Sequence, residues 1–190
     1  MSMDLLPNTR QKAEQDAFMS DWGLSKYTEV LNLNLTEMRD RLVLDIGSGA
    51  TGKFTEEAFK VGIKVVSMSP QLKDVTPSQD GQRMSITGRV QEMPFGDNTF
   101  DYEVALFSVP YYIPLTKEEY TLSLKEIIRT LKPGGTAYLS PVFKNKTMGE
   151  GFVSREFIDD VLNQFPDSIL YTLEKLNSTD EEYRLVLTKK

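Results

Sequence analysis

Apolar residues recur along this chain in two rhythms, and the alternation predicts strands separated by helices. Leu42, Val43, Leu44 and Ile46 form a short run with the character of a strand covered on both faces. After Gly52 the apolar positions Phe54, Ala58 and Val61 fall at helical spacing, and Gly62 predicts the stop. Residues 63–68 read as a second strand and 83–87 as a third. The stretch 69–82 between them, with Pro70, Pro77, Ser78 and Gly81, predicts loop where a regular unit would place a helix. Residues 101–107 make a fourth strand. Thr116 and Glu119 then form a capping box, and Tyr120, Leu124, Ile127, Ile128 and Leu131 mark one face of the clearest helix. Lys132-Pro133-Gly134-Gly135 predicts a tight turn, and a fifth strand begins at Thr136. Ser154 caps a further helix with Ile158, Val161, Leu162 and Phe165 inward, and strands near 169–173 and 183–187 close the pattern. Residues 8–38 predict helices broken at Trp22-Gly23. The whole reads as one domain over 1–190: a helical cap, 1–40, and an α/β core, 41–190, with a mainly parallel sheet covered on both faces.

Composition narrows the chemistry. The net charge is −6 and the pI about 4.9, with no extended basic run, so neither nucleic acid nor an anionic membrane is an expected partner. The chain has no cysteine and no histidine. That removes disulfides, thiolate metal sites and the commonest general base, and no metal site is expected. No apolar run reaches membrane-spanning length, and the first residues lack a secretory pattern, so a cytoplasmic location is expected.

The densest signal is Val43-Leu44-Asp45-Ile46-Gly47-Ser48-Gly49. It is a strand ending in an acid, followed by a glycine turn that opens a helix. Gly47 and Gly49 permit tight backbone and close approach of a ligand. Such a turn holds a nucleotide-like cofactor, or serves only as a structural turn, and Asp45 alone suits a helix cap equally. This segment resembles the first motif of class I S-adenosylmethionine-dependent methyltransferases. Met93-Pro-Phe-Gly-Asp-Asn-Thr-Phe-Asp101 resembles the stretch leading into their fourth strand. Leu124-Lys-Glu-Ile-Ile-Arg-Thr-Leu-Lys-Pro-Gly-Gly135 resembles the helix and turn before their fifth. The three occur in the family's order and cover roughly residues 41–141. The resemblance implies a Rossmann-like, seven-stranded sheet with a C-terminal antiparallel strand pair. It also implies S-adenosylmethionine as cofactor and methyl transfer to a small-molecule substrate.

By the same resemblance, Asp45, Gly47, Ser48 and Gly49 face the methionine half of the cofactor, and Glu92 and Met93 flank the adenine. Ser69 stands where the family usually has the ribose-binding acid, and Arg89 where another acid often contacts the adenine. Gln91, Glu92 and Asp74 are candidate substitutes. Phe107 joins the cofactor-facing set at the end of strand four. Tyr111 and Tyr112 follow it on the side where substrate is expected and are the candidate catalytic residues. Trp22 and Tyr27 either cover the site or pack in the core, and Asp101, at the opposite rim, is expected to serve a turn. Two rival functions remain: a methyltransferase-like domain that binds without turnover, and an NADP-dependent reductase using Gly47-x-Gly49-x-x-Gly52.

Overall fold

The structure, a computed structural model, describes residues 22–49, 52–70, 72, 84–109, 113, 116–142, 154–176 and 183–190. In chain order the elements are α1 Leu24–Leu31, α2 Leu35–Met38, β1 Leu42–Ile46, α3 Lys53–Lys60, β2 Lys64–Met68, β3 Met84–Ile86 and β4 Phe100–Leu106. They continue with α4 Lys117–Thr130, β5 Leu131–Ser140, α5 Arg155–Leu162, β6 Ile169–Lys175 and β7 Tyr183–Lys189. Among the described residues the strands form one seven-stranded sheet, ordered β3-β2-β1-β4-β5-β7-β6. The first five are mutually parallel, while β7 runs antiparallel to β5 and β6 antiparallel to β7. This is the expected Rossmann-like sheet with its C-terminal antiparallel pair.

The alternation of side chains along each strand assigns the two faces. Val43 of β1 and Val104 and Leu106 of β4 pack with Tyr27, Leu31, Phe54 and Ala58 from α1 and α3. Leu44, Ile46 and Ala105 pack on the other face with Leu124, Ile127, Ile158 and Val161 from α4 and α5. Arg184 of β7, itself buried, donates to the carbonyl of Val30 and pairs with Glu174, which ties the end of α1 to the sheet. The other end of α1 is capped from a distance: Leu24 N–H donates to the Glu57 carboxylate at 2.7 Å. A Cβ at Gly23 would lie 2.2 Å from that carboxylate, so glycine there leaves room for the cap.

Most predicted elements stand within a residue or two of expectation; the N-terminal helices break also at 32–34, between α1 and α2, and three further features differ. Thr116 Oγ1 accepts from Glu119 N–H, but the Glu119 carboxylate accepts from Gln91 Nε2 at 2.9 Å, so it serves the loop before β4. The expected turn at Lys132–Gly135 instead lies within β5, which starts at Leu131 rather than Thr136; the β4–β5 register shifts there, Phe100 pairing with Leu131 and regular pairing resuming at Tyr102–Thr136. Asp101 does not serve a turn. Its carboxylate accepts from Leu42 N–H at 3.0 Å and Lys132 Nζ at 2.8 Å, with Arg41 at 3.6 Å, and so joins β1, β4 and β5 at their N-terminal rim. Burial would raise its pKa, but the Lys132 and Leu42 hydrogen bonds and the two cations hold it below the usual carboxylate range. The helical expectation for residues 8–21 lies outside the described residues.

Candidate functional site

The strand order changes direction between β1 and β4, because β2 and β3 lie to one side and β5 to the other. A crevice opens at such a point beyond the strand C-termini. Gly47, with φ +78°, begins the turn that leaves β1 there. A Cβ at Gly47 would stand 2.3 Å from Ser108 Cβ, so the ends of β1 and β4 approach too closely for any side chain. Ser108 Oγ donates to the Ile46 carbonyl and locks the same approach. Gly47 N–H and Ser48 N–H both donate to the Met68 carbonyl, at 2.7 and 3.2 Å. Two donors of the turn are thereby satisfied by β2 and do not point at a ligand. Gly49 and Gly52 also have positive φ, +70° and +61°, and Gly52 is the N-cap of α3.

Beneath this turn lies Asp45, fully buried on the face covered by α1 and α3. Oδ1 accepts from the Tyr27 hydroxyl at 2.9 Å, and Oδ2 has no partner. Burial raises the Asp45 pKa to about 7, against the lowering effect of the Tyr27 hydrogen bond. Tyr27 is itself pushed well above its ordinary value, by burial and then by the Asp45 charge, so it acts as a donor. Its ring stacks on Phe54 of α3, centroids 4.0 Å apart and planes 13° from parallel. Phe107 follows β4 with φ +51°, and Trp22 meets its ring edge-on at 4.1 Å. Trp22 also borders a depression of about 300 Å³ lined by Lys26, Lys53 and Glu57 among others.

Asp45, Gly47, Ser48, Gly49 and Phe107 therefore gather at the C-terminal ends of β1 and β4. Ser69 is buried at the end of β2, its N–H bonded to Ile86 and its carbonyl accepting from Leu72 and Gly88. Glu92 is exposed on a tight turn that pairs with Arg89, while Gln91 is held by Glu119. Met93 turns inward. It is 4% exposed, its N–H donates to Glu126, and its sulfur lies 3.8 Å from Thr130 Oγ1, so its side chain belongs to the core. Tyr111, Tyr112 and Asp74 lie outside the described residues. No cluster of acidic side chains able to hold a metal occurs among the described residues. The contact between Tyr27 and Asp45 had no signal in the sequence beyond an aromatic on an amphipathic helix. The partners are 18 positions apart and meet only once α1 docks.

An acid buried beneath a glycine turn, with one oxygen unpartnered, suits a cationic group better than a phosphate. The sequence profile of a family described as a methyltransferase domain matches residues 44–139. Demethylmenaquinone methyltransferase of Staphylococcus aureus is 30% identical over 126 residues, covering 66% of this chain and 48% of that protein. The chain thus spans about half the length of the curated relatives it matches. Among solved structures, a TehB-like S-adenosylmethionine-dependent methyltransferase from Corynebacterium glutamicum superposes with a TM-score of 0.65 at 18% identity, covering 96% of this chain and 98% of that one. An amino pentose methyltransferase from Micromonospora echinaspora, solved with S-adenosylmethionine bound, gives 0.63 at 14% identity over the whole of both chains.

Proposed function

The chain belongs to the methyltransferase domain family, of the S-adenosylmethionine-dependent class, and from that premise we propose that it methylates a small-molecule acceptor. The observation that carries this reading is Asp45, buried at the end of β1 with Oδ2 unpartnered. Its carboxylate is matched to the ammonium of the cofactor's methionine half. Gly47, Ser48 and Gly49 supply a close, side-chain-free approach beside it. Ser69 and the turn at Arg89–Glu92 stand toward the adenosine half, where a neutral hydroxyl replaces the usual acid. When bound, the cofactor supplies a methyl group on a positively charged sulfur, which already is a good leaving group. The residues of this chain then have two tasks, to align the acceptor and to exclude water. Phe107 and Trp22 furnish an apolar wall for the second. Tyr111 and Tyr112, which come after β4 in the sequence, are the proposed residues for receiving a proton. The acidic chain, with no extended basic run, favours a small molecule over nucleic acid as acceptor.

The reductase reading is the weaker one on the geometry described. Gly47 and Ser48 N–H groups are already bonded to Met68, and a buried acid beneath the turn disfavours a pyrophosphate above it. Thermal denaturation with S-adenosylhomocysteine, S-adenosylmethionine and NADPH in parallel separates the two. Ligand at about 100 times its Kd adds roughly 2.7 kcal/mol of stability. The first two are expected to raise Tm and NADPH to leave it unchanged. A rise with NADPH alone would overturn the proposal.

A further inference from the structure

Asp45 is a fully buried acid whose two oxygens have different surroundings, and the difference is made by the N-terminal cap. Tyr27 reaches it from α1, with its ring fixed by the stack on Phe54 and its hydroxyl on Oδ1 at 2.9 Å. Oδ2 is left over, buried and without a partner. In the sheet, Asp45 is flanked in register by Ser67 of β2 and Val104 of β4, neither of them charged. The carboxyl group therefore takes its orientation from one hydrogen bond. We propose that Tyr27 is the positioning residue for the cofactor's ammonium group, and that through it the docking of α1 and the loading of the cofactor are coupled.

This inference rests on the cofactor reading above. An ammonium at Oδ2 requires Asp45 in its ionised form. The hydrogen bond from Tyr27 to Oδ1 then becomes charge-assisted, about twice as strong as a neutral one. Cofactor binding thus tightens the attachment of α1 to the core, and by linkage a docked α1 tightens cofactor binding. A ligand without the ammonium group leaves the Tyr27 bond as it was.

The test compares two nucleosides that share the adenosine half. S-adenosylhomocysteine carries the ammonium group, and 5′-methylthioadenosine lacks the whole amino-acid half. Tyr27→Phe keeps the ring on Phe54 and removes only the hydroxyl. By calorimetric titration the variant should bind S-adenosylhomocysteine about tenfold more weakly than wild type, and methylthioadenosine equally well. Equal weakening for both ligands, or none for either, overturns the proposal. The wild-type protein gives a second readout that needs no variant. Amide hydrogen exchange across Leu24–Leu31 should slow more with S-adenosylhomocysteine than with methylthioadenosine at matched saturation, and equal slowing overturns the coupling. A wild type that binds neither nucleoside overturns the cofactor reading and this inference together, whereas binding without the ligand-dependent difference overturns the inference alone.

Discussion

Two buried carboxyl groups give the molecule a pH dependence of a definite sign. Asp45 and Glu103 are each fully buried with one oxygen unpartnered. Burial raises their pKa values to about 7 and about 8, against the opposing hydrogen bonds from Tyr27 and Thr130. In the unfolded chain both titrate in the ordinary carboxylate range. The folded protein therefore binds more protons than the unfolded one between about pH 4 and pH 8, and stability falls as pH rises through that window. The stability is fully present below the unfolded pKa and is lost as pH passes the folded values. Urea denaturation of the ligand-free protein should show a lower midpoint at about pH 8.5 than at about pH 5. Glu103→Gln keeps an oxygen to accept from Thr130 Oγ1, now at 2.6 Å, and removes the buried charge. That variant should be the more stable protein at high pH and close to wild type at low pH. A midpoint independent of pH in wild type would show that neither carboxyl titrates in this range.

Between elements, one arginine explains why two of the motif stretches occur together. Arg129 of α4 pairs with Glu126 through Nε and Nη2, at 2.7 Å each. It also donates to the carbonyls of Met93 and Phe95 and to Asp97, while Glu126 accepts from Met93 N–H. The helix thereby clamps the segment that feeds β4. Arg129→Ala should lower stability by about 2–3 kcal/mol, measured by urea denaturation. Lysine should not restore it, because one ammonium cannot span a fork of partners. The elements themselves were legible in the sequence, because caps such as Ser154 and Thr116 and the apolar spacing of α4 are local signals. Their long-range ties were not. Met93 was placed against the adenine by motif position, yet its partners Glu126 and Thr130 lie more than 30 residues onward and draw it into the core. Asp101 was assigned to a turn for the same reason, although its partners are 59 positions back and 31 onward.

At the scale of the whole molecule, two strand ends meet at the point where the strand order reverses, without a side chain between them. Gly47→Ala adds a Cβ 2.3 Å from Ser108 Cβ at a φ of +78°. Left-handed backbone and overpacking together should lower stability by about 2–4 kcal/mol. Gly62 provides the comparison, since its φ is +84° and a Cβ there would meet nothing within 4 Å. Gly62→Ala should therefore lose only the backbone part, about 1–2 kcal/mol. Equal losses in the two variants, read from chemical denaturation, would show that the contact with Ser108 contributes nothing. The glycine pattern announced this turn, and the alternation of strands and helices announced a mainly parallel sheet, whereas the order of its strands came only from the structure. The cap was legible only as helix, since its link to the site depends on Tyr27 meeting Asp45 across the fold.

The Asp101 network fastens β1, β4 and β5 at the N-terminal rim of the sheet. Lys189 fastens β7 on the same side, donating to Asn98 and to the Leu131 carbonyl at 2.8 Å each. The crevice opens at the other rim. Selection can therefore revise the segments that come after β4 and β5 in the sequence without loosening the joints that secure the sheet. A lineage built on this plan is free to change its chemistry faster than its shape.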